Sequence, residues 1–258
     1  MARRTGGAVH AAAAVVAVAA MIATPLAARG GPTRRSMSSV VVTSMFVATT
    51  ARAARRWGAR RAGGAAATIA LATGAVERIG THTGVPFGRY GYTETLRPQL
   101  AGVPAIVPLA WFAMAVPARE TAHAALGHHS TPTRRIALGA AALTAWDLFL
   151  DPQMVGEGYW RWARQGAYRG IPLTNYVGWF VTGLGVMTAL ESMLPPERPD
   201  PVLVGQYSYM GVMETVGFAA FFRDRTVATV GGAAMLPVAA IAVRRLAPRR
   251  HRRTIGLG

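Results

Sequence analysis

The sequence contains no cysteine and no lysine. Without cysteine there is no disulfide, no thiolate nucleophile and no cysteine-based metal site, although this says nothing about compartment. Without lysine, all 28 basic residues are arginine, set against 11 acids for a net charge of +17. The glycine-rich segment 80–88 therefore cannot be a phosphate loop, which needs a Gly-Lys step. Charged residues are scarce at 15%, whereas 52% of the chain is hydrophobic and the mean hydropathy is +0.26. A nucleic-acid surface would interleave its basic residues with aromatics on a soluble domain. Here the arginines sit in gaps between apolar runs, which reads as loops that set topology and touch anionic headgroups, with no nucleic acid as partner. No internal repeat stands out, so the signature of an inverted-repeat transporter is missing.

What the chain does have is long uncharged stretches, among them 5–28, 98–118, 170–190 and 226–243. Roughly 20 apolar residues cross a bilayer, so several of these span alone. Shorter runs reach that length only by extension through an acid, Glu77, Asp147 or Glu214. The expected fold class is all-α, a polytopic transmembrane bundle of about seven or eight helices forming one integral-membrane domain over 1–258. The first run follows MARR and ends in small residues, as a signal peptide would, but its length and the polytopic remainder favour a retained helix. With eight spans the arginine excess falls on the side of the N-terminus, which predicts a multi-pass cell-membrane protein with both termini, and the basic tail 244–258, in the cytoplasm. The tail reads as a solvated end facing headgroups.

That topology sends the loops 80–100 and 152–173 to one face of the membrane. Glu77, Asp147 and Asp151 lie near the helix ends that feed them. An acid at membrane depth costs about 2.5 to 3.5 kcal/mol on insertion scales, so each is a functional candidate. Asp147 and Asp151 are spaced i, i+4 and share a helical face. Pro152 is expected to end the helix at Asp151. Two such carboxyls resist double ionisation, which leaves a proton available for general acid chemistry. The plainer alternative has Asp151 capping the next turn and Asp147 paired with Arg78 or Arg161. Glu77 is either a second acid or base in the same cavity or a partner for loop arginines, and the segment 80–88 after it carries too many turn formers to be helical. Glu214, mid-span with Tyr207, Met210, Gly211 and Phe218 on its face, either lines a pocket for a hydrophobic substrate or bonds a neighbouring helix. His123, His128 and His129 lack metal-ligand spacing, so no metal site is expected. Trp146, Tyr159, Trp160, Trp162, Tyr168, Tyr176 and Trp179 form either an interfacial belt or an aromatic wall able to face a cation.

Four blocks in order, ERIGTHTGVPFGRYGY (77–92), GVPAIVPLAW (102–111), AWDLFLDPQMV (145–155) and GAYRGIPLTNYVGW (166–179), resemble the integral-membrane carotenoid-biosynthesis proteins, a group that includes carotenoid 1,2-hydratases and bisanhydrobacterioruberin hydratase. The resemblance covers roughly residues 65–222 and leaves out the first two spans and the tail. It implies cofactor-independent addition of water to the terminal double bond of a linear carotenoid end group, giving a tertiary alcohol. It also implies the lipid bilayer, a hydrophobic carotenoid and other membrane enzymes of that pathway as partners. Protonating such an alkene makes a tertiary cation, which calls for a protonated carboxyl, an aromatic wall and a placed water. On that reading Asp147 or Asp151 donates the proton, with its partner or Glu77 orienting water. Trp146, Tyr159 or Tyr168 faces the cation, Asn175 holds the water, and Phe87, Tyr90 and Glu214 complete the substrate-binding set. The rivals are a cyclase of the same pathway, a pigment-binding protein, or a proton-coupled transporter.

Overall fold

A computed structural model describes residues 2–247. It is an all-α bundle of eight long helices among those residues: α1 (Ala2–Ala23), α2 (Pro32–Trp57), α3 (Ala59–Thr83), α4 (Ile106–Leu126), α5 (Pro132–Gly156), α6 (Leu173–Met193), α7 (Pro201–Ala220) and α8 (Arg225–Leu246). The tail from 248 onward lies outside the described residues.

The helix ends follow local chemistry. Thr131, Asp200 and Asp224 each accept a backbone N–H of the following first turn, and the first two are followed by proline at N1, where its missing N–H is no loss. Gly84, with φ +82°, ends α3 in the left-handed region. Two expectations fail here. α3 continues through Gly80 to Thr83, because its amides stay in the helical ladder and the turn comes only at Gly84. α5 continues past Pro152 to Gly156. Proline removes the bond to the carbonyl four residues back, Leu148, and the Tyr168 hydroxyl takes that place at 3.0 Å.

α4 forms the axis of the bundle, buried almost without interruption from Trp111 to Ala125 and packed by α2, α3, α5, α7 and α8. Small residues let helices close in. A Cβ on Gly183 would stand 3.3 Å from Ala140, and one on Gly231 would meet the Phe149 ring at 2.6 Å. The outward faces are apolar as well: Leu71, Ile79, Val177, Val181, Val212, Val230 and Ile241 are exposed. A water-soluble bundle would not expose so many large apolar side chains along its helices. Three helices, 6–26, 32–57 and 225–246, are long and apolar enough to cross a membrane, with mean hydropathies of 2.0, 1.2 and 1.9. The chain is a membrane protein.

Over one end lies a small lid. β1 (Tyr90–Tyr92), from the α3–α4 loop, pairs antiparallel with β4 (Trp160–Trp162), from the α5–α6 loop, with Tyr90 opposite Trp162 and Tyr92 opposite Trp160. Strand alternation turns these four rings toward the helices and leaves Gly91 and Arg161 outside. Between them in sequence, β2 (Gln99–Leu100) and β3 (Val103–Pro104) make a tight hairpin leading into α4.

Candidate active site

Beneath the lid, α3 and α5 bring three carboxyls, and α6 an asparagine, to one cavity. Asp147 and Asp151 on α5 are each 1% exposed. Both are held by one residue, Asn175 of α6. Its Nδ2 donates to Asp147 Oδ2 at 2.8 Å and to Asp151 Oδ2 at 2.7 Å. Asn175 is the single asparagine in the chain. The Trp160 indole N–H donates to Asp151 Oδ1 at 2.5 Å, which leaves Asp147 Oδ1 as the carboxyl oxygen of the pair without a partner among the described residues.

Glu77 on α3 sits in a cage of neutral donors. The Tyr90 hydroxyl bonds its Oε2, the Tyr92 hydroxyl bonds the same oxygen at 2.7 Å, and the Trp111 N–H bonds Oε1 at 3.1 Å. Burial, and then the adjacent Glu77 charge, push both phenols above the usual tyrosine range, so they stay O–H donors at physiological pH. No arginine or histidine is among the residues lining the cavity. The carboxyls are thus surrounded by hydrogen-bond donors and no counter-ion. The remaining wall is aromatic: Trp111 stacks on Trp179 at 3.9 Å, Trp146 meets Trp179 edge-on, and Trp162 leans on Tyr90 at 5.1 Å. A Cβ on Gly178 would lie 2.7 Å from the Pro86 carbonyl oxygen, so glycine there allows α6 to approach the lid loop that carries Phe87.

Among the sequence-predicted residues, Glu77, Phe87, Tyr90, Asp147, Asp151 and Asn175 line this one cavity. Trp146, Tyr159 and Glu214 line a second, larger one beside it. Tyr168 lines neither: its hydroxyl serves Leu148 and its ring packs on Tyr176. Its phenol is pushed up to about 12, by burial and then by Asp224. The alternative pairings for the acids fail as well, because Asn175 and Trp160 occupy the places that Arg78, Arg161 or a helix cap would have taken. His128 and His129 stand on an exposed turn, and among the described residues no three His, Asp or Glu side chains converge as metal ligands. Sequence reasoning missed Tyr92 and Trp111 as site residues. Once Tyr90 is placed on a strand, Tyr92 follows at i+2 on the same face, but three residues carry too little pattern to reveal a strand.

Residues 36–246 match the sequence profile of a family described as carotenoid biosynthesis protein. The chain belongs to this carotenoid biosynthesis family. The match takes in α2 and α8, beyond the 65–222 core carrying the resemblance, and it contains the entire carboxyl cavity. Within a curated relative, the bisanhydrobacterioruberin hydratase of Haloarcula japonica, 34% of 117 aligned residues are identical. That alignment covers 45% of this chain and 40% of the relative, so the chain spans about two-fifths of the length of the protein it matches. No solved structure matches this member of the carotenoid biosynthesis family.

Proposed function

We propose that this protein is a multi-pass membrane hydratase that adds water, without a cofactor, across the terminal double bond of a linear carotenoid end group. The observation that carries the reading is the carboxyl pair with one free oxygen. Buried carboxyls without a counter-ion are neutralised most cheaply by a proton. Asp151 has both oxygens engaged and Asp147 has one, so Asp147 Oδ1 is where a transferable proton would face the substrate. The named hydratase relative supports the same reaction class.

The step balances simply. The Asp147 proton adds to the less substituted alkene carbon and leaves a tertiary cation. The faces of Trp111 and Trp179, and the Asp147 carboxylate that the proton has just left, stabilise that cation; each ring contact is worth about 0.5 to 2 kcal/mol. Water then adds to the cationic carbon and gives a proton back to the Asp147–Asp151 pair, which ends with as many protons as it began. Trp162, whose indole N–H is buried without a partner among the described residues, is the donor suited to hold that water.

Expression in a lycopene-producing host tests this directly. Hydration raises the carotenoid mass by one water, cyclisation leaves the mass unchanged, and a pigment-binding protein returns its pigment unaltered. Unchanged products across several linear carotenoids would sink the hydratase reading. Asp147→Asn and Asp151→Asn should each abolish turnover while the protein remains in the membrane fraction; full activity in both removes the acid assignment.

A further inference from the structure

Next to the carboxyl cavity lies a second, larger space. Val42, Ile106, Leu150 and Met154 line both, so no more than one layer of flexible apolar side chains separates them. The larger space is walled by the C-terminal ends of α1, α5 and α7 and the N-terminal half of α2. Its walls reach the lipid-facing surface between α1 and α7, where Ile22, Val216 and Phe221 are each more than half exposed. Toward the loops it is closed. Arg34 pairs with Glu157 at 2.7 Å and lies over the ring of Phe222, which lines the cavity. The opening therefore faces the bilayer and not water.

The wall is mostly apolar, and the hydroxyls on it are already engaged: Thr24 donates to the Ala20 carbonyl, and Ser38 bonds the Arg34 carbonyl and the Tyr159 hydroxyl. Glu214 of α7 and Gln153 of α5 both line it, and neither side chain meets a hydrogen-bond partner among the described residues. Polar groups held inside an apolar site are costly unless something bonds them. A hydrocarbon cannot. A hydroxyl on an apolar chain can, because it donates one hydrogen bond and accepts others.

We propose that this second cavity holds the chain of a linear isoprenoid bearing a hydroxyl group, that the chain enters laterally from the bilayer between α1 and α7, and that Glu214 with Gln153 binds its oxygen. The proposal rests on the hydratase reading, which places the reacting end of the same molecule in the carboxyl cavity. It makes Glu214 a specificity-determining residue remote from the reacting carbons.

The test uses full-length protein in phospholipid nanodiscs, titrated with lycopene and with its monohydroxylated analogue. Bound pigment and quenching of tryptophan fluorescence are read, since Trp146 lines the cavity. One hydrogen bond corresponds to about a tenfold preference for the hydroxylated chain, and Glu214→Leu should erase it while leaving lycopene binding unchanged. A tryptophan at Gly217 has room to project into the cavity, its Cβ meeting nothing nearer than the Phe222 ring at 3.9 Å. Gly217→Trp, and independently Ile22→Trp from the opposite wall, should weaken both chains by about tenfold or more, as filling a pocket does. Wild-type binding in both filled variants, or an unchanged preference in Glu214→Leu, overturns the chain site. If the filled variants lose binding but the wild type hydrates neither chain, the chain site stands and the hydratase reading falls. If water is added and the filled variants keep the wild-type KM, the hydratase reading stands and the chain site falls.

Discussion

Asn175 carries more of the site than its size suggests, because its two amide hydrogens are divided between two carboxyls that would otherwise repel. Alanine at this position leaves Asp147 Oδ2 and Asp151 Oδ2 without a donor, and the pair loses its fixed geometry. Asn175→Ala should lower kcat by about 10²-fold, the order found for removing one preorganised donor, with KM little changed since the aromatic wall that receives the substrate is intact. An equal loss in KM and kcat, or none, would count against a positioning role. The two aspartates were legible from the i, i+4 spacing alone, and Glu77 from its place at a span end. Of the donors that hold them, Tyr90 and Asn175 were in the expected substrate-binding set, Trp160 was read only as part of an aromatic cluster, and Tyr92 and Trp111 were not picked out at all. Trp160, Trp162 and Tyr92 reach the cavity only because two loops, about 70 residues apart in sequence, pair as strands across the end of the bundle. Nothing local in either loop announces that pairing, and Tyr168, equally aromatic, ends up serving the backbone instead.

Among the elements, α5 shows most clearly how tertiary contact overrides local preference. Proline disfavours helix at the residue before it, and a reading of the sequence alone stops α5 at Asp151. The helix instead runs one further turn, with the orphaned Leu148 carbonyl satisfied by Tyr168 from the following loop. Continuing the helix keeps Asp151 in register with Asp147, so the proline exception preserves the shared face that the pair needs. Tyr168→Phe should cost about 1 kcal/mol of stability in the native background. In a Pro152→Ala background the restored amide can bond Leu148 itself, and the same Tyr168→Phe change should cost much less. Thermal unfolding of the four proteins in detergent closes this double-mutant cycle, and equal costs in both backgrounds would refute the substitution of one donor for the other. Helix number and order, by contrast, were readable in the uncharged runs, since in lipid each run must satisfy its own backbone and only a helix does so.

Across the whole molecule, polar side chains gather at two opposite ends of an apolar bundle and are handled in opposite ways. Under the lid, acids meet neutral donors and no cation. At the far end, acids meet arginines: Arg119 bonds Glu120 and Glu191, Arg135 bonds Glu191, and Arg52 grips Asp200 with two bonds of 2.8 and 2.9 Å. Sequence reading assigned these arginines to loops that set topology, because charge near a span end gives no hint of burial, yet Arg119 and Glu120 are 1% exposed. The balanced end is structural, and its sensitivity to pH should show it. Burial pushes the Asp200 carboxyl up, but Arg52 and the amides of Val202 and Leu203 outweigh burial and hold it below the usual carboxylate range. A carboxyl with a depressed folded pKa contributes stability above its unfolded value of about 4 and loses it as pH falls through the folded value. Asn at 200 still caps α7, so Asp200→Asn isolates the charge. The variant should be about 3 kcal/mol less stable at neutral pH, the order for breaking a buried pair. That gap should close as pH drops below about 4, because the native carboxylate then takes up its proton and releases Arg52. Unfolding of both proteins in micelles across this range would show it, and a gap that stays constant with pH would mean that Asp200 acts through packing and capping and not through its charge.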